Sequence, residues 1–237
     1  MNFIIGGVNA SILTFNFMVG IILFHDNFPF SFCGGSYLGN GTIITAAHCV
    51  KNLQKKNTSA RVYYNLQDLN NFLDHDQYHK VIRYKIHDLF EENNLTHDVA
   101  LLKIPDININ NVMIPNSTYD TNDTFLILGY GFIDKKITHL NGLHLGKVKI
   151  LDRTMYPNLN TDDSMLIAQG IANDTTIDSC FGDSGSPLLL IDKNNNNIIY
   201  GITSWGIGCA NILYPGVYSN VFYLKDWIIK IEELFKN

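Results

Sequence analysis

What most limits the folding of this chain is the recurrence of short apolar segments between turn-rich breaks. Residues 18–24, 42–46, 62–64, 81–86, 99–104, 125–130, 148–151, 187–191 and 198–205 are rich in β-branched, aromatic and leucine side chains. Gly, Asn, Asp and Pro crowd the gaps between them. That spacing predicts an all-β barrel or sandwich. Helical periodicity surfaces at the end, where Val221, Leu224, Trp227, Ile228, Ile231 and Leu234 or Phe235 recur at helical spacing. The polar face of that helix mixes signs (Lys225, Asp226, Lys230, Glu232, Glu233), which favours docking on the strands over a membrane surface. Residues 105–123 hold two prolines and many Asn, Asp and Thr, and read as a linker between two halves.

Composition narrows the function classes. With 46% hydrophobic and 16% charged residues, 237 residues suffice for a sizeable core. A net charge of −5 argues against nucleic-acid partners and polybasic membrane attachment. No apolar run reaches the ~18 residues of a membrane span. Four cysteines (Cys33, Cys49, Cys180, Cys209) allow three pairings. Asn-x-Ser/Thr occurs at Asn9, Asn40, Asn57, Asn94, Asn116, Asn122 and Asn173, the pattern of a secreted glycoprotein, although an Asn-rich chain also makes such triplets by chance. Asp74, His75, Asp76 and His79 cluster, but histidines suit calcium poorly and the group reads as a solvated loop. No zinc spacing and no phosphate-cradling glycine loop occurs, so neither metal nor cofactor is expected.

The chemistry concentrates at Cys180-Phe-Gly-Asp-Ser-Gly-Ser-Pro187. A serine flanked by glycines can present its hydroxyl from a tight turn, with neighbouring N–H groups aimed at one oxygen. Serine is a weak nucleophile and needs a base, which needs an orienting acid. His48 in Thr-Ala-Ala-His-Cys and Asp98 in His-Asp-Val-Ala-Leu-Leu supply both. His97 adjoins Asp98, but strand alternation predicts that its side chain points the other way.

These residues carry a resemblance to the trypsin-like (chymotrypsin-fold) serine proteases. It runs from Ile4-Ile-Gly-Gly through Cys33-Gly-Gly-Ser, Thr45-Ala-Ala-His-Cys, Asp98-Val-Ala-Leu-Leu, Gly129-Tyr-Gly and Asp178-Ser-Cys-Phe-Gly-Asp-Ser-Gly-Ser-Pro to Ser204-Trp-Gly and Tyr214-Pro-Gly-Val-Tyr. The resemblance implies two six-stranded antiparallel β-barrels with a C-terminal helix. The first, over 4–108, would carry His48 and Asp98; the second, over 122–237, Ser184; together they would form one peptidase domain, 4–237. It implies Ser184 as nucleophile, His48 as base, Asp98 as its orienter, and the N–H groups of Gly182 and Ser184 as oxyanion donors. Asp178 would sit at the base of a pocket for arginine or lysine. Ser179, Phe181, Ser204, Trp205, Gly206, Gly208, Gly216 and Leu95 would form the rest of the substrate surface. Cys33–Cys49 and Cys180–Cys209 are the implied disulfides, and Ile167 stands where many relatives carry a further cysteine. A freed Ile4 amine would insert beside Asp183.

The resulting expectation is a monomeric, extracellular serine endopeptidase acting after Arg or Lys on protein substrates, with protein protease inhibitors as further partners. The alternatives are a zymogen-like form and a non-catalytic binding protein on the same fold. Only Met1, Asn2 and Phe3 precede Ile4, with no secretory signal among them. The bond after Phe3 does not suit self-cleavage by an enzyme of basic specificity.

Overall fold

The computed structural model describes residues 4, 7–67, 72, 75–131, 142–170, 177–179, 182–208, 211 and 213–236. Along the first part of the chain run β1 (Val8–Asn9), β2 (Met18–His25), β3 (Phe28–Gly39), β4 (Thr42–Thr45), the one-turn helix α1 (Ala47–Val50), β5 (Thr58–Tyr64), β6 (Tyr78–Lys80), β7 (Arg83–Ile86) and β8 (Ala100–Lys103). β2 is apolar almost throughout and buried up to its last residue, as a strand flanked on both edges must be. The β2–β3 hairpin turns through Asp26 and Asn27, both at positive φ (46° and 70°). Asp and Asn tolerate that conformation, and two such residues in succession match the twist of the strands.

The first sheet has the order β6-β5-β2-β3-β4-β8-β7, all antiparallel. Its two outer strands are consecutive in the chain. Val81 N–H bonds to Ala60 O of β5 and Ile82 N–H to Lys103 O of β8. The stretch from β6 to β7 is therefore one bent strand that leaves β5 and joins β8. Counted so, the sheet curls into a ring.

The second part carries β9 (Phe125–Gly129), β10 (His144–Leu151), β11 (Met165–Gly170), β12 (Pro187–Ile191), β13 (Asn197–Trp205) and β14 (Gly216–Asn220). These close into a six-stranded antiparallel barrel, β9-β10-β11-β14-β13-β12, with β12 pairing back to β9. β1 adds to the β10 edge. Ile4, Phe125, Ile127, Val148, Leu188 and Tyr218 lie in its core. The segment between the halves is tied to both: Val112 N–H bonds to Tyr37 O, and Met113 bridges to Ile198.

The C-terminal helix α2 (Val221–Lys236) forms where its periodicity predicts. Asn220 accepts the Tyr223 N–H at 3.2 Å, a side-chain cap for its first turn. Val221, Leu224, Ile228, Ile231 and Phe235 are buried, while Leu234 is exposed. The helix begins on the second barrel yet packs on the first: Arg83 donates to the Phe235 carbonyl and Trp227 Nε1 to Asp88, both at 3.2 Å. Among the described residues no helix is long and apolar enough to cross a membrane.

Candidate active site

His48 enters from β4 onto α1, whose next residue is cross-linked to β3 by the Cys33–Cys49 disulfide. Closing a loop of that size stabilises by about 3 kcal/mol. Asp98 is fully buried and turns both carboxylate oxygens on His48. Oδ1 accepts the His48 peptide N–H at 2.8 Å, and Oδ2 lies 2.7 Å from Nδ1. Ser204 Oγ donates to the same Oδ2 at 2.5 Å. A carboxylate only accepts, so Nδ1 carries a proton, and Nε2 is the nitrogen that bears the lone pair in the neutral imidazole. Nε2 rests 3.7 Å from Cys49 Sγ.

Ser184 lies half-buried on the loop that leads into β12. Its two flanking glycines take conformations that other residues rarely adopt: Gly182 has φ 91° and Gly185 φ 83°. Space demands glycine as well. A Cβ on Gly185 would lie 2.3 Å from Thr45 Oγ1 and 2.4 Å from Gly34 O. The loop is sewn to both halves. Gly34 N–H donates to Ser184 O at 2.8 Å, and Gly185 N–H to Thr203 O at 2.8 Å. Gly34 follows Cys33, so the Ser184 turn sits beside the disulfide against which His48 Nε2 rests. Among the described residues, no protein acceptor takes the N–H of Gly182 or Ser184.

Asp178 is buried, only 5% exposed, behind Gly216. A Cβ at Gly216 would come within 2.9 Å of Asp178 Oδ1 and 3.1 Å of Tyr218 Oη, so any side chain there would fill the approach to the carboxylate. Ser179 Oγ and Tyr218 Oη are 3.2 Å apart. Burial, and next the nearby Asp178 carboxylate, push the Tyr218 hydroxyl pKa up, so it stays a neutral hydrogen-bonding group. Trp205 and Leu95 are half-buried, whereas Gly206 and Gly208 are exposed. Leu95 belongs to the turn from Glu91 to Thr96 and has φ 52°.

Ile4 is fully buried in the second core, its side chain against Gly146 beside Ile177. Asp183 is equally buried, and its Oδ1 accepts the Gly131 N–H at 2.9 Å. Phe181 and the expected Cys180–Cys209 pair lie outside the described residues.

Asp74 also lies outside them; of its neighbours, His75 precedes β6 and His79 lies in it, paired with Val62 of β5 rather than in a solvated loop. His75 Nε2 bonds to Tyr64 O at 2.9 Å, and His79 stacks on Tyr64. Among the described residues, the trio with donor atoms close enough for a metal is Cys33, His48 and Cys49, and both sulfurs are committed to the disulfide. His97 does turn from Asp98, toward His87 and Tyr223. The cause is a left-handed backbone (φ 52°) ahead of β8 rather than strand alternation. The sequence reading also passed over Thr45, which caps Gly34 O at 2.8 Å, and Ser219, which donates to the Asp98 carbonyl at 2.7 Å. Single Thr and Ser residues carry no motif, so nothing in the linear pattern marks them.

The family model described as Trypsin matches residues 4–228. Hypodermin-A of Hypoderma lineatum is 29% identical over 97% of this chain and 88% of its own length. Trypsin-1 of Astacus astacus is 30% identical over 95% of this chain and 98% of its own. Complement factor I of Rattus norvegicus is 32% identical over 83% of this chain, a match that spans 34% of that longer protein.

Proposed function

The chain belongs to the trypsin family of serine proteases, and from that premise we propose that it is an endopeptidase cleaving protein substrates after arginine or lysine. The observation that carries the reading is the double grip of Asp98 on His48, because it sets the tautomer a general base needs. In the proposed reaction Nε2 of His48 takes the Ser184 proton as Oγ attacks the scissile carbonyl carbon. The C–O bond forms, the carbonyl π pair moves to oxygen, and the N–H groups of Gly182 and Ser184 stabilise that oxyanion. His48 then gives its proton to the leaving amine as the C–N bond breaks, which leaves an acyl-enzyme. Water, deprotonated by the same nitrogen, attacks the ester and restores Ser184.

Asp178 sets the substrate class. A carboxylate at the foot of a buried slot gains most from a partner cation, and the long Arg and Lys side chains bring one past Gly216. Ser179, Phe181, Ser204, Trp205, Gly206, Gly208 and Leu95 complete the surface. A freed Ile4 amine would pair with buried Asp183 and order the Gly182 turn, so a form extended before Ile4 is the zymogen-like state. The Cys33–Cys49 disulfide supports an oxidising, extracellular location. We assign 4–108 and 122–237 as the two halves of one peptidase domain, each carrying one barrel, with Ile4 and β1 of the first range joining the second barrel, and with protein protease inhibitors as further partners.

Two assays test the reading. An irreversible serine-reactive inhibitor is expected to label Ser184 stoichiometrically. A peptide-library profile is expected to show cleavage after Arg and Lys. Labelling elsewhere refutes the nucleophile; a preference for Phe or Leu refutes the pocket.

A further inference from the structure

Asp98 lies where the first sheet stops holding its own backbone. The outermost ladder bond there is His87 N–H to Val99 O, and β8 begins only at Ala100. The preceding residue, His97, is left-handed (φ 52°), a conformation that side chains other than glycine adopt at a cost. Yet the Asp98 carboxylate meets two separate N–H groups of His48 at once, which requires one orientation of its backbone.

Partners for that backbone come from the other half. Ser219 Oγ donates to the Asp98 carbonyl at 2.7 Å. Ser164 Oγ accepts the His97 N–H at 3.0 Å and itself donates to Asp162 at 2.6 Å. Both serines are buried, 2% and 1% exposed. They sit side by side: Ser219 pairs with Met165 across β14 and β11, and Asn220 N–H bonds to Ser164 O. β14 alternates as well, so that Gly216 and Tyr218 face Asp178 while Ser219 faces Asp98.

We propose that Ser219 and Ser164 are positioning residues: Ser219 holds the peptide group that follows the Asp98 α-carbon and Ser164 the Thr96–His97 peptide group one residue before it, so that the Asp98 carboxylate reaches both N–H groups of His48 only when the second barrel is docked in register. The proposal rests on the triad reading above. It adds that the acid's orientation is supplied across the interface, by the strand that also walls the Asp178 pocket.

The test uses Ser219→Ala, Ser219→Val, Ser219→Thr and Ser164→Ala in the full chain. Kinetics on a basic substrate are read together with active-site titration and the low-field proton resonance of the His48–Asp98 hydrogen bond. A misplacement of about 1 Å at a reacting group costs up to about 100-fold in rate. Ser219→Ala and Ser219→Val are therefore expected to lower kcat roughly 10- to 100-fold per titrated site, with KM held within about two-fold. The resonance is expected to shift or broaden in both. Ser219→Thr, which keeps the hydroxyl, is expected to restore kcat and the resonance. Ser164→Ala is expected to act in the same direction, less strongly. An unchanged kcat and resonance in Ser219→Ala, or a loss found wholly in the number of titratable sites, overturns the proposal. A resonance that moves alike in the Val and Thr variants does so too. If the wild type is not labelled at Ser184, the triad reading fails while the resonance still decides the positioning.

Discussion

In the first half, His48 sits on a one-turn helix cross-linked to β3, and Asp98 leads into β8. In the second, Ser184 sits in a loop whose shape comes from the left-handed glycines on either side. The first half holds its groups by covalent and sheet structure, the second by backbone freedom. Neither is complete alone. Gly34 of the first half, its carbonyl held by Thr45, fixes the Ser184 turn, and Ser204 and Ser219 of the second fix Asp98. A catalytic centre divided between barrels, as proposed, would have its precision set by exchange across the seam rather than by either core.

The widest gap between the halves should appear when the proposed nucleophile is removed. Ser184→Ala is expected to lower peptide hydrolysis by roughly 10^5-fold, and adding His48→Ala should cost little more, because triad groups act as a unit. Thermal unfolding should barely change, since no large cavity forms. Near-normal turnover in the purified variant would sink the division of labour.

Asp178→Ser comes next. Losing one member of a buried ion pair costs about 3–5 kcal/mol, so kcat/KM for Arg and Lys substrates is expected to fall roughly 10^3-fold. Hydrolysis of an activated ester without a basic side chain should be nearly unaffected, which separates the pocket from the triad. Equal losses on both substrates would place Asp178 in the structural frame instead.

How far the linear sequence reveals this depends on what a residue relies on. β2, β12 and β13 announce themselves as apolar runs, and α2 by its 3–4 spacing. β3 hides because Pro29 and Gly34-Gly35 read as breaks, although the glycines are there to let Ser186 and Ile21 approach. β14 hides because it opens on Gly216 and ends on Ser-Asn, residues chosen by Asp178 and Asp98 rather than by strand propensity. His48, Asp98 and Ser184 are legible through their local motifs. Their supports are not, since a serine that donates one hydrogen bond across an interface looks like any other serine.

Glycine geometry offers a smaller and sharper test. Gly185→Ala meets both a left-handed φ and a backbone oxygen 2.4 Å from the new carbon. It is expected to destabilise by about 2–4 kcal/mol in denaturant titrations. Gly208→Ala has a similar φ, 78°, but open space around it. Its expected cost is the conformational penalty alone, about 1–2 kcal/mol. If the two variants unfold at the same denaturant concentration, the contact between the Ser184 turn and the first half contributes nothing.

The smallest effect concerns the helix that joins the halves at their far end. His87 packs its ring on Trp227 of α2 (4.7 Å between centroids) and on His97 (4.9 Å), and its Nδ1 accepts the Leu89 N–H. Burial, followed by the neighbouring His97, pushes its pKa down to about 4, with Asp88 opposing and Lys85 assisting. A base whose folded pKa lies below its ordinary 6.5 binds its proton more readily when unfolded. Its contribution is therefore fully present above pH 6.5 and is lost as the pH falls from there toward 4. His87 is only half-buried, so solvent screening trims the effect to about 1 kcal/mol. His87→Gln removes the titration while leaving a polar side chain of similar reach. The unfolding free energies of wild type and variant are expected to converge by about 1 kcal/mol between pH 7 and pH 4.5, the wild type losing more. Carboxylates titrating in the same range act on both proteins and cancel in the difference. Parallel pH profiles would mean that the docking of α2 on the first half does not depend on a neutral His87.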